Sequence, residues 1–404
     1  MKYAIILTDG AADEPIPALD GKTVLEAAHL PHLDQIATEG IVGWSNNTPD
    51  NLPAGSDVAT MTVLGYDPQT YYTGRAPLEA AAMGIALGPR DWAIRCNLVT
   101  VEKGKMVSFN AGQISSAEGA ELLQAANDKL GSDAIRFYPG VSYRNLLVWR
   151  DLADMPAPLS RDTRTFPPHD YTDRSILSVS PAGPGSVEMV SLMGEVHQIF
   201  AEHPVNKKRI AEGKLPATDA WLWGQGLRPQ LPPFTEKYGL SGVMITAVDL
   251  LRGLGAILGW KRIDVPGATG LYDTNYEGKA SAAIDALQEV DVACIHIEGP
   301  DEAGHDGSME TKIYALEQID RYIIGPLYEA LKQHGAYRIL ITPDHPTPVR
   351  LKTHTHANVP WVMAGTGIVP DAHTSYCEKT AADSKTNFPE GFRMMRFFVD
   401  STNH

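Results

Sequence analysis

The chain opens on KYAIILTDG, an unbroken apolar run that stops at an acidic residue and a glycine. Such a run predicts a buried β-strand with Asp9 at its carboxyl end. LPHLDQIATEG has apolar residues at helical spacing, and ATEGIVGWSNN, which overlaps its end, reads as a second strand. GVMITAVDLLRGLGAILG predicts a strand running into a helix. VDVACIHIEGPDEAGH and YRILITPDHP are two further short apolar runs, each ending in a polar cluster. SMETKIYALEQIDRYIIGPLYEALKQHG, between them, fits a crossover helix. Strand, helix and strand in this rhythm predict an α/β fold, a mostly parallel sheet sandwiched by helices. Ligands bind at the carboxyl ends of the strands in that architecture.

The middle of the chain breaks the rhythm. WAIRCNLVTV and YRNLLVWR read as strands and SLMGEVHQIFAEH as part of a helix, separated by the proline-rich connectors DMPAPLSRDTRTFPPHD and RPQLPPFTEKYG. The simplest organisation is a smaller α+β domain over residues 76–235, inserted into a discontinuous domain formed by residues 1–75 and 236–404. No internal repeat or low-complexity tract is evident.

Composition narrows the function classes. The 404 residues are 43% hydrophobic and 21% charged, as in ordinary globular proteins. No apolar run reaches the length of a membrane span, and the N-terminal run is too short for a secretory signal, so a cytoplasmic location is expected. Cys96, Cys294 and Cys377 are far apart, which disfavours a disulfide framework or a cysteine zinc site. The net charge of −15 argues against a nucleic-acid binder. A small anionic metabolite stays compatible, because local cations override the global sign. Oligomeric state is not legible.

The polar residues at the predicted strand ends form an unusual set. Asp9 ends the first strand, Asp301 and His305 lie in PDEAGH, Asp344 and His345 in PDHP, and His354 and His356 in KTHTHANVP. On a helix, Asp301 and His305 would share one face. Each has an ordinary reading as a turn, loop or strand-edge residue. Together, three aspartates and several histidines without cysteine suit divalent cations bound through oxygen and imidazole. Ser56, in LPAGSDVATMTVLGYDP, could cap a helix, or could be a nucleophile. No G-x-S-x-G elbow surrounds it. Coordination to a cation would lower the pKa of its hydroxyl, and two ions would also hold the oxygens of a phosphoryl group.

At these residues the sequence resembles the alkaline phosphatase superfamily and, more closely, the cofactor-independent phosphoglycerate mutases of the archaeal type. The resemblance runs through the Asp9 strand end, GSD with LGYDP, YTGRAPLEA, EKYGLSG, PDEAGH and PDHPTP, nearly the whole chain. It implies an alkaline-phosphatase-like domain with an inserted domain that closes over the cleft. It implies a phosphoserine at Ser56, one metal held by Asp9, Ser56, Asp344 and His345, and another held by Asp301, His305 and His354. His354 is chosen over His356 because the family's histidine stands six residues before the proline of a Val-Pro pair, here Pro360. Manganese is the expected metal, with zinc, magnesium and cobalt compatible. The resemblance also suggests Arg75 and Lys279 as phosphate-handling cations, although Arg75 reads equally as a turn arginine and Lys279 as a helix-surface lysine. One departure stands out: the family's arginine-rich Asp-Arg-Arg-Ala-Gly-Arg stretch corresponds here to SFNAGQ, residues 108–113, without arginine. Arg95, Arg144 and Arg164 are candidate replacements. RFYPGVSYRNLLVWR, WLWGQG and VPGATGLYDTNYEGKA resemble a bacterial subgroup proposed to act as homoserine kinases. The expected activity is therefore interconversion of 2- and 3-phosphoglycerate, with a homoserine kinase-like enzyme or a metal-dependent phosphatase as alternatives.

Overall fold

The structure, a computed structural model, describes residues 1–400. It divides into two compact units, residues 1–72 with 230–404 and residues 73–229. The seams lie at 72/73 and 229/230 where the sequence reading put them at 75/76 and 235/236, so Arg75 belongs to the second unit.

The first unit begins with strands β1 (Lys2–Thr8) and β2 (Gly40–Ser45). The second contains β3 (Trp92–Glu102), β4 (Lys105–Ser108), β5 (Ile135–Val141), β6 (Arg144–Trp149) and β7 (Asp219–Leu227). The chain then returns to the first unit through β8 (Gly242–Ile245), β9 (Lys261–Arg262), β10 (Val292–Ile297), β11 (Tyr337–Thr342) and β12 (Val359–Gly365).

The first unit holds a seven-stranded sheet in the order β2-β12-β11-β1-β10-β8-β9. Pairings from β11 through to β9 are parallel, whereas β12 runs antiparallel to both its neighbours. A sheet covered on both faces explains why β1 and β10 are near-continuous apolar runs rather than alternating ones. All six residues of β10 are buried, including His296. The predicted crossover helix is observed as Met309–Ile319, a π-helical turn over Asp320–Ile324, and Gly325–Lys332. The π-turn accommodates Pro326, which lacks the N–H an α-helix would need there.

In the second unit every pairing of the five-stranded sheet is antiparallel. Ile94, Cys96 and Leu98 of β3 face a core shared with helices Ser116–Leu130 and Ser186–Glu202. The three cysteines are free and buried. No helix among the described residues is long and apolar enough to cross a membrane.

Candidate metal centre

Three neighbouring strands of the first unit, β10, β1 and β11, end beside one another and deliver the centre's residues. Asp9 follows β1, and its backbone N–H is held by the Ile297 carbonyl of β10 at 3.0 Å. Asp344 and His345 follow β11, and Asp301 and His305 lie on helix Gly299–Asp306 just after β10. Gly10 makes the convergence possible. It has φ of +64°, and a Cβ there would lie 2.6 Å from Asp301 Cα.

Ser56 is the first residue of helix Ser56–Val63, whose N-cap is Gly55, so Ser56 is not the cap. Its Oγ instead lies 3.2 Å from Asp9 Oδ2 and 3.2 Å from His345 Nε2. The hydroxyl hydrogen can therefore be donated to either group.

The two buried carboxylates beside Ser56 are each half-engaged. Asp344 Oδ1 accepts the backbone N–H groups of Gly10 (3.1 Å) and His345 (2.8 Å), while Asp344 Oδ2 is buried without a hydrogen-bond partner. Asp9 Oδ2 is shared by Ser56 and His296, while Asp9 Oδ1 is likewise buried without one. His345 Nε2 approaches both orphan oxygens, at 3.6 Å from Asp9 Oδ1 and 3.5 Å from Asp344 Oδ2. Buried oxygens left in this way are costly unless a further group satisfies them. Burial, and the Asp344 and Asp301 carboxylates next to it, push the Asp9 pKa well up, the penalty expected where acidic groups crowd without compensating cations.

A second set adjoins the first. His305 and His354 face each other with their Nε2 atoms 2.9 Å apart, and each Nε2 lies 3.3 Å from an Asp301 oxygen. The hydrogen bond with Asp301 raises the His305 pKa to about 9. Burial alone would raise the Asp301 pKa, but His305 and His354 more than reverse it and hold it low. His356, two residues on, instead points its Nδ1 at the Thr48 carbonyl, 3.0 Å away. Among the described residues, three groups have donor atoms close enough to share an ion: Asp301 with His305 and His354, Asp9 with His296 and Asp344, and Asp9 with Asp301 and His345. Donors that converge, with lone pairs left bare, fit divalent cations.

Thr347 links the two sets. Its hydroxyl donates to Asp301 Oδ1 and lies 3.4 Å from His345 Nδ1. With that hydrogen spent on Asp301, the Thr347 oxygen accepts from His345 Nδ1–H, and His345 Nε2 is left bare toward Ser56. Lys312, fully buried, holds this segment from behind, with Nζ 2.9 Å from the Thr347 carbonyl and 2.8 Å from Asp13.

His296 and Glu298 are absent from the residues singled out in the sequence. His296 is hidden there because a lone histidine inside an apolar strand reads as core. Burial lowers its pKa to about 4 and raises that of Glu298 to about 8. Lys279, on helix Tyr276–Ala286, is buried and not a surface lysine. Its Nζ reaches the His296 carbonyl at 3.2 Å, and burial lowers its pKa to about 8.

The arginines proposed from the sequence lie in the second unit. Arg95 pairs with Glu79 through two contacts and stacks over Trp223 at 4.6 Å. His169 packs against the same indole at 5.5 Å. Burial lowers the His169 pKa, and the charges of Arg95, Arg75 and Arg144 add to this against the opposing Asp170, so all three arginine charges act on one imidazole. Arg75 immediately precedes helix Ala76–Ala82. Arg164 is exposed and pairs with Ala182 through its backbone. Residues 108–113 form a tight turn around the Ser108 and Asn110 side chains, with Ala111 and Gln113 at positive φ.

Comparison with known proteins places this geometry. The family model for 2,3-bisphosphoglycerate-independent phosphoglycerate mutase matches residues 37–206. A protein of Geobacter sulfurreducens named a probable 2,3-bisphosphoglycerate-independent phosphoglycerate mutase is 45% identical, covering 99% of this chain and 100% of its own. One of that name without the qualifier, from Methanothrix thermoacetophila, is 45% identical over 99% of this chain and 100% of its own. Among solved structures, a Pyrococcus horikoshii protein superposes with a TM-score of 0.81 at 27% identity, over 100% of this chain and 98% of its own. The cofactor-independent phosphoglycerate mutase of Thermoplasma acidophilum gives 0.69 at 28% identity, over 99% of both chains. The chain therefore belongs to the 2,3-bisphosphoglycerate-independent phosphoglycerate mutase family.

Proposed function

We propose that this chain interconverts 2-phosphoglycerate and 3-phosphoglycerate through a phosphoserine at Ser56, with two divalent cations and without 2,3-bisphosphoglycerate. The observation that carries the reading is the Ser56 hydroxyl held 3.2 Å from both Asp9 and His345, beside the Asp301, His305 and His354 cluster. Asp9, Ser56, Asp344 and His345 would hold one ion, and Asp301, His305 and His354 the other. Manganese suits this oxygen and imidazole set, and zinc, magnesium or cobalt would also fit it. Bound there, the ions supply positive charge that favours ionised serine and offsets charge on a transferring phosphoryl group.

The chain's own groups do the rest. Ser56 Oγ forms a bond to phosphorus as the bond from phosphorus to the substrate oxygen breaks. The serine proton leaves toward Asp9 Oδ2 and passes on to the departing glycerate oxygen. In the return step the neighbouring hydroxyl of glycerate attacks the phosphoserine, the bond from phosphorus to Ser56 Oγ breaks, and the proton the hydroxyl gives up returns to Ser56. At the amino end of helix Ser56–Val63, the helix dipole favours the negative phosphoserine. Lys279 and the Arg75, Arg95 and Arg144 group are the proposed partners of the substrate's phosphate and carboxylate. A cytoplasmic location suits three cysteines that are all free.

The test is an assay with manganese and 3-phosphoglycerate in the absence of nucleotide. Formation of 2-phosphoglycerate is expected. Product from homoserine and ATP, with phosphoglycerate inert, would instead establish the kinase-like alternative. Release of inorganic phosphate without isomerisation would establish a phosphatase.

A further inference from the structure

His296 has no part in the phosphoryl transfer outlined above, yet it is tied into the centre more firmly than several of the candidate ligands. It is 1% exposed, in the middle of the sheet. Its Nε2 lies 2.8 Å from Asp9 Oδ2, and its Nδ1 lies 3.1 Å from Thr246 Oγ1. Thr246 Oγ1 in turn accepts the Val248 N–H at 3.0 Å.

Donor and acceptor rules fix the direction of this chain. With Asp9 ionised, as a metal ligand must be, its carboxylate only accepts, so the hydrogen between His296 and Asp9 belongs to Nε2. A second hydrogen on the ring would place a cation in a buried strand, with the Lys279 ammonium already 3.2 Å from the His296 carbonyl. The ring is therefore neutral and Nδ1 is the acceptor. Thr246, one lone pair engaged by Val248, directs its hydroxyl hydrogen at Nδ1. His345 has the opposite arrangement, with Nδ1 toward Thr347 and Nε2 bare. The two histidines thus both turn Nε2 toward Asp9, one with the hydrogen on it and the other bare.

We infer that Thr246 and His296 form a positioning relay that clamps Asp9 Oδ2, so that Asp9 Oδ1 is the oxygen presented to a cation, and that His296 is not itself a ligand. Proximity alone allows the other reading, since Asp9, His296 and Asp344 are close enough to share an ion. A nitrogen that carries a hydrogen has no lone pair to give, and this decides against it. The orphan state of Asp9 Oδ1, beside a doubly engaged Oδ2, is what such a clamp produces. Partners of this kind fix ligand orientation, and their loss typically weakens metal binding by about 10–100-fold. The inference rests on Asp9 being a ligand, as proposed above.

The relay is tested by nitrogen-15 NMR of the histidine-labelled full chain, metal-free and then loaded with magnesium, together with manganese titrations of two variants. His296 is expected as the Nε2–H tautomer in the magnesium-loaded state. In the titrations, His296→Gln, which keeps a donor near the Nε2 position, should bind manganese within about threefold of the unaltered protein, and His296→Ala about 10–100-fold more weakly. An Nδ1–H tautomer in the loaded state, a His296 Nε2 signal that moves to a ligated value on loading, or a Gln variant as weak as the Ala variant would each overturn the relay. If His296→Ala does not fold, the NMR result on the unaltered protein decides. Failure of the unaltered protein to bind any divalent cation would overturn the wider metal reading, whereas the wrong tautomer with metal binding intact overturns the relay alone.

Discussion

Ser56 looks in the sequence like a helix cap, and the structure moves it one position, to the first residue of the helix, with its hydroxyl turned to Asp9 and His345. Because no cap is lost, Ser56→Ala is expected to leave folding and the Asp301, His305 and His354 group intact. Phosphoryl transfer should fall by on the order of 10⁴-fold or more, as when other enzymes lose their nucleophile. Kinetics with a manganese titration checks this, and retained turnover would remove the phosphoserine. His305 gives a pH signature. In the metal-free protein its imidazolium, held by Asp301, persists to about pH 9, above the ordinary 6.5. With the folded pKa raised, its stabilising contribution is complete below 6.5 and is lost as pH rises through about 9. A cation needs the bare ring, so metal affinity should rise across the same window, by up to about tenfold per pH unit. Manganese titrations over that range check it, and a flat affinity would contradict it. Sequence reading found these residues because aspartate and histidine at strand ends are conspicuous. It passed over His296 because, inside VACIHI, a buried histidine and a core residue look alike.

Among the elements, the apolar runs of β1, β10 and β11 and their polar endings were legible, because a sheet covered on both faces demands such runs. The reversed direction of β12 was not, since VPWVMAG carries no mark of strand polarity. Nor was the π-turn that carries the helix past Pro326. The contact between the end of β1 and helix Gly299–Asp306 depends on Gly10, which the sequence shows only as half of an ordinary Asp-Gly turn. Gly10→Ala would place a Cβ 2.6 Å from Asp301 Cα on a residue at φ of +64°. A loss of about 1–3 kcal/mol in stability is expected, with weaker binding at the Asp301 group. Chemical denaturation of the metal-free variant measures the first, and a manganese titration the second. A variant matching the parent in both would show that the close approach is not required.

For the molecule as a whole, the discontinuous arrangement was legible from the return of the strand rhythm after residue 235, but its seams were not, since proline-rich connectors mark a region and not a residue. The charge of −15 gave no warning of three arginines whose charges all act on His169, because they come from separate elements, β3, β6 and the residue before helix Ala76–Ala82. In the function proposed above, that grouping would let an acidic protein accept an acidic metabolite despite a turn at residues 108–113 that carries no arginine. The most direct test of the central claim is peptide mass spectrometry of the manganese-loaded protein, quenched during turnover of 3-phosphoglycerate without nucleotide. The expected result is one phosphoryl group on Ser56. Steady turnover with Ser56 unmodified, and the phosphoryl group on another residue, would contradict it.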